Sequence, residues 1–106
     1  MPADALLIEA EFQEGLRALE TGDTATAIRR FTTILARDPR LHRVRLELAR
    51  AYFLAEDWAE SRREFFAVLS ADVPQAVKDN IILFLRAIDD RRGRTRGFYS
   101  GAPGGP

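Results

Sequence analysis

The residues able to do chemistry are few in this sequence. His42 is the single histidine, and it stands beside Arg40 and Arg43 near a helix start. One imidazole can move a proton, but a transition-metal site takes several His, Cys or carboxylate donors. There is no cysteine to add, which also removes disulfides and thiol catalysis. The carboxylate pairs Glu11/Glu14 and Glu56/Asp57 have the residue types of an acid–base dyad. On charged helix faces such pairs are solvated surface, and no pocket follows from them. No Ser–His–Asp set can be built around one histidine without a nucleophile elbow. The glycines of Gly101–Pro106 lack the Lys and the following helix of a phosphate loop. The sequence therefore reads as non-catalytic, with no cofactor and no metal.

What remains is an arrangement of helices. Apolar residues recur at spacings of three and four, as in Ile28, Phe31, Ile34, Leu35 and in Val77, Ile81, Leu85, Ile88. The breaks carry turn chemistry. Gly22-Asp23 ends one helix and caps the next, Asp38-Pro39 fits a third helix start, and Asp57 to Glu60 has capping-box spacing. Pro74 opens a last helix. Five helices are expected, near 4–20, 24–37, 40–55, 58–70 and 75–91. Five of the seven glycines and two of the five prolines fall within residues 91–106, together with Arg91, Arg92, Arg94 and Arg96. That composition predicts a non-helical tail or linker over 92–106. The chain is one domain's length, at 106 residues, and its 16 basic and 16 acidic residues cancel. No global charge excess calls for nucleic acid. The longest apolar runs are five residues, as in Ala51–Ala55 and Ile81–Leu85, too short for a membrane-spanning helix. Met1-Pro2-Ala3-Asp4 has no positive charge, and Ala5–Ile8 is too short for the core of a secretory signal.

The chain also repeats itself with a period of 34. Gly15 matches Ala49, Ala27 matches Ser61, Phe31 matches Phe65, and Ile34 and Leu35 match Val68 and Leu69. Small residues at Gly15/Ala49 and Ala27/Ser61 let two helices approach closely, and the phenylalanines fill the space between hairpins. This pattern resembles the tetratricopeptide repeat (TPR). The resemblance implies an all-α fold: a right-handed superhelical stack of two helical hairpins, at about 8–41 and 42–74, and a capping helix over 75–91, all within a domain of residues 1–91. Beyond the capping stripe, Ile82, Leu83 and Phe84 add apolar surface. This surplus fits a partner, a homodimer or a further domain, or else rounder burial within the stack.

The inner surface of such a stack is the candidate site. By repeat position it presents Glu9, Phe12, Gln13, Leu16 and Leu19, then Arg43, Leu46, Glu47, Arg50 and Phe53. A mixed apolar groove with two arginines suits an extended or helical peptide or a protein partner. Leu16 and Phe53 read equally as core or groove. The Lys/Asn set with which some TPRs clamp a C-terminal carboxylate is not here, since Phe12, Leu16, Leu46 and Arg50 stand in its place.

A second likeness covers residues from about 12 to 101. Ala71-Asp72-Val73-Pro74, Ala76-Val77, Asn80-Ile81, Phe84-Leu85, Ala87-Ile88 and Arg91, followed by an Arg/Gly stretch with Phe98 and Tyr99, resemble the end of the N-terminal TPR region in surface lipoprotein assembly modifiers, the Slam family. That resemblance implies a periplasmic module joined to an outer-membrane β-barrel, engaging a lipoprotein substrate or an accessory factor. It likens Gly97-Phe98-Tyr99-Ser100-Gly101 to the approach to a first barrel strand. Ala102-Pro103-Gly104-Gly105-Pro106 departs from a barrel strand. The other reading is a stand-alone TPR adaptor, which would be cytoplasmic. The Arg-rich segment with its aromatics suits either membrane proximity or a solvated tail, with nucleic acid a lesser alternative.

Overall fold

The computed structural model describes the backbone of residues 3–104 and the side chains of residues 4–93. The described residues form five helices: α1 (Ala3–Glu20), α2 (Thr24–Arg37), α3 (His42–Leu54), α4 (Trp58–Leu69) and α5 (Gln75–Gly104). Among them there is no strand. None of these helices is long and apolar enough to cross a membrane. The fold is the all-helical one expected from the period of 34. α1 pairs with α2 and α3 with α4, α2 packs on α3, and α5 lies on α4.

The two hairpin turns are built alike, with an aspartate at the same place in each. At the end of α1 the Asp23 amide donates to the Ala18 carbonyl (2.8 Å) and the Gly22 amide to that of Leu19 (3.2 Å). At the end of α3 the Asp57 amide donates to the Tyr52 carbonyl (2.9 Å) and the Glu56 amide to that of Phe53 (3.0 Å). Both are Schellman closures. In each, the following Asp caps the next helix: Asp23 accepts from the Thr26 amide and Asp57 from the Glu60 amide. The Thr26 hydrogen bonds hold the Asp23 carboxyl below the usual carboxylate range.

The turns differ at the left-handed position. Gly22 has φ 83°, and its counterpart Glu56 has φ 61°. A side chain in the left-handed region costs about 1 kcal/mol or more, which glycine avoids. Glu56→Gly is therefore expected to raise the midpoint of thermal unfolding by several degrees, on the order of 4–8 °C per kcal/mol for a domain of this size. Circular dichroism melting checks this; an unchanged or lower midpoint would show that the Glu56 turn carries no such cost.

Two hydrophobic cores follow from the stacking. The first joins Phe12, Ala18, Ala27, Phe31, Ile34, Leu35, Val44, Leu48 and Ala51, drawn from α1, α2 and α3. The second joins Ala49, Phe65, Val68, Ile81, Leu85 and Ile88, drawn from α3, α4 and α5. The stripe Val77, Ile81, Leu85, Ile88 thus faces Phe65 and Val68 as expected of a capping helix. Phe31 lies directly over Gly15: a Cβ there would fall 2.9 Å from ring atoms Cδ1 and Cζ and closer still to Cε1. In the second hairpin the fully buried Ser61 donates its hydroxyl to the Ala49 carbonyl (2.8 Å), so its polar atom costs little.

Each hairpin has an ion pair between its two helices at a matching place, and in the first hairpin Arg30 also reaches Glu14 (3.1 Å). Arg30 on α2 binds Glu11 on α1 (3.1 Å), and Glu64 on α4 binds Arg45 on α3 (2.7 Å). Residues 11 and 45, and 30 and 64, are repeat mates, so the second pair is the first with its charges exchanged.

Three expectations give way. α3 begins at His42 rather than near 40, because Asp38 ends α2 and spends its carboxylate on the Arg40 amide and Nε (3.1 Å each). α5 does not stop near Arg91 but continues to Gly104, so the 92–104 backbone is helical rather than a non-helical tail. An existing helix lengthens at far less cost than a new one nucleates, and Arg91, Arg92, Arg94 and Arg96 are good helix formers that outweigh the intervening glycines. The stretch 97–101 is likewise helical, not an extended approach to a strand. The 82–84 surplus divides: Phe84 turns inward, while Ile82 and Leu83 face out.

Candidate functional site

α1 and α3 lie side by side as the first helices of their hairpins. Between them runs a furrow with two clefts. At the N-terminal end, Ile8, Phe12, Leu41 and Val44 floor a cleft of about 320 Å³, rimmed by Glu9, Arg40, His42 and Arg43. At the C-terminal end, Leu16, Leu19 and Leu54 line one of about 310 Å³ with Glu20, Glu47 and Arg50.

The polar groups along the furrow are only partly engaged. Arg43 stacks its guanidinium on the Phe12 ring, 4.8 Å from the centroid, which keeps the charge at the rim above an apolar floor. Gln13 donates to Glu9 (2.8 Å), bracing both on the α1 surface. Arg50 reaches Glu47 at 3.5 Å, a loose pair on one helix, and Arg50 remains exposed. Arg40 is turned toward Asp38, and its hydrogen bonds hold that carboxyl below its ordinary range. A surface of this kind can bury aliphatic side chains and bind charged groups at its edges. Among the described residues, no three His, Asp or Glu side chains gather where they could hold a metal ion.

Of the ten residues expected in the groove, Glu9, Phe12, Leu16, Leu19, Arg43, Glu47 and Arg50 line this furrow, with Phe12 (3% exposed) as floor and Gln13 bonded to Glu9 at its rim. Leu46 and Phe53 belong instead to the second core. Phe53 meets Trp58 edge-on at 5.3 Å and Phe84 at 5.0 Å, and Phe84 stacks on Phe65 at 4.8 Å. Arg91 covers the outer side of this cluster, 5.4 Å from the Phe53 ring and 5.3 Å from Trp58. Phe53 was open between core and groove in the sequence, and α5 decides it by bringing Phe84.

Glu20 and Leu54, absent from the sequence-based set, complete the C-terminal cleft. They are repeat mates, and each lies four residues after a named or matching furrow position, Leu16 and Arg50, which was the available signal.

Two successive hairpins, packed on each other around phenylalanines 34 residues apart, narrow the family. A profile of the tetratricopeptide repeat family matches residues 18–79, more than half of the chain. The chain belongs to the tetratricopeptide repeat family. No curated protein and no solved structure matches it. TPR domains typically act as non-enzymatic modules that bind protein or peptide partners. In this TPR protein, α1 and α3 are the A helices of the two repeats, and the furrow is their inner surface.

Of the Arg-rich segment, the side chains of Arg94, Arg96, Phe98 and Tyr99 lie outside the described residues. Arg86 is exposed, and Arg92 borders a notch with Arg62, Asp89 and Gly93, none of which lines the furrow.

Proposed function

We propose that this TPR protein binds a peptide segment of a protein partner along the α1/α3 furrow. One observation carries the reading. Leu54, the last residue of α3, is 56% exposed on the furrow wall beside Arg50, Leu16 and Leu19. Burying such a side chain against a ligand contributes about 1.5–3 kcal/mol. The arginine supplies a charged contact at the edge of the apolar one. Leu54→Glu together with Arg50→Glu reverses both properties on two exposed positions. Peptides selected from a random display library on the wild-type domain are expected to bind this double variant at least tenfold more weakly, with helicity unchanged by circular dichroism. Equal binding to the folded double variant would sink the furrow assignment.

We further propose a setting for this module, the periplasmic arm of a Slam-like outer-membrane protein that handles lipoproteins. The sequence pattern from Ala71 to Arg91 supports it. An antibody against this domain tests it on fractionated cells of the source organism. A band several times heavier than 11.9 kDa in the outer membrane fits the proposal, and a soluble band of that size excludes it in favour of a free adaptor.

A further inference from the structure

α5 has two unlike faces. Val77, Ile81, Leu85 and Ile88 point into the second core. Asp79, Ile82, Leu83 and Arg86 share the opposite face, within an arc of about 100° at 3.6 residues per turn. All four are exposed, Ile82 at 37% and Leu83 at 63%.

The order of residues along that face says what fits it. It runs acid, apolar, apolar, base, and such an order is its own complement when read backwards. A second α5 crossing antiparallel about a two-fold axis between Ile82 and Leu83 sets Ile82 against Leu83 of the second copy. The same operation sets Asp79 opposite the second copy's Arg86, and Arg86 opposite its Asp79. Among the described residues, Asp79 accepts a hydrogen bond only from Gln75 on its own helix (2.9 Å), and no carboxylate pairs with Arg86. Parallel pairing would set like charges together.

We infer that this face is an isologous contact and that its occupant is a second copy of this chain, held by one apolar centre and two symmetric ion pairs. The contact is small, well under the roughly 1,200 Å² of a standard interface, so the dimer is weak and forms with rising concentration. It uses none of the residues that line the furrow of the proposed function and stands or falls independently of it.

Sedimentation equilibrium of the whole chain, at loadings up to about 1 mM, reads association as weak as millimolar. The wild-type average mass is expected to climb above 11.9 kDa toward twice that value. Asp79→Arg and Arg86→Asp, each alone, set like charges opposite each other and should hold the monomer mass. Mixed in equal amounts, the two variants pair Arg with Asp on both sides, and the mass should rise again. Leu83→Ser, which keeps every charge, should weaken association at least fivefold. A wild-type chain that stays monomeric at every loading overturns the inference. So do single reversals that associate like wild type, or a mixture that associates no more than its parts, including the case in which this face serves a different protein.

Discussion

Gly15→Val will lower the stability of the first hairpin by about 2 kcal/mol, a fall of roughly 10 °C in the unfolding midpoint. The position has no room for a side chain. Phe31 lies against it, is fully buried, and is hemmed in by Phe12 at 5.8 Å, with Val44 and Leu48 in the same core. A Cβ must therefore push the ring, or α1 must move off α2. Phe31→Leu alone also costs stability, by loss of buried area. The two changes share one volume, so the double variant is expected to lose less than the sum of the singles. Thermal or urea unfolding of the four chains measures that coupling. Additive losses would mean that the Gly15–Phe31 approach does not set the helix spacing.

A second large effect is expected at the α3–α4 ion pair. Arg45 and Glu64 keep only 21% and 13% of their side-chain surface. Leaving a buried charge unpaired costs about 3–5 kcal/mol, and residual water access puts Glu64→Arg near the lower end, about 3 kcal/mol. Arg45→Glu should cost a similar amount. The double exchange recreates in the second hairpin the polarity that Glu11 and Arg30 have in the first, so it is expected to recover most of the loss. It falls short of wild type because Arg45 also donates to the Pro39 carbonyl (3.1 Å), tying α3 to the preceding loop. Urea midpoints of the two singles and the double check this. A double variant no better than the worse single would show that the environment, not the pair, fixes which helix carries the cation.

The sequence was most legible where one residue type permits one geometry. Gly22-Asp23 and Asp57 with Glu60 gave both hairpin turns, because a left-handed cap and a carboxylate acceptor are local demands. The period of 34 placed Gly15, Ala27, Phe31 and their mates, since small and large residues must alternate where helices cross. Local signals with two outlets misled. Asp38 can cap a helix or close a turn on Arg40, and it does the second. Phe53 can line a groove or fill a core, and only Phe84, 31 residues further on, decides which. The tail composition argued for irregular chain, but a helix already under way continues past the glycines. The furrow's arginines were found by repeat position, while Leu54 escaped because a leucine at a helix end carries no sign of facing out. The ion pairs left no mark in the repeat, because their repeat mates are opposite in charge rather than alike.

That inversion bears on how a doubled sequence avoids confusing its halves. Near-copies within one chain invite misassembly, in which the first helix of one hairpin takes up the second helix of the other, in the same molecule or in a neighbour. Here a trespassing α4 would bring Glu64 against Glu11, and a trespassing α2 would bring Arg30 against Arg45. Correct partners attract and exchanged ones repel, so the duplicated halves are labelled by polarity although their shapes are nearly the same.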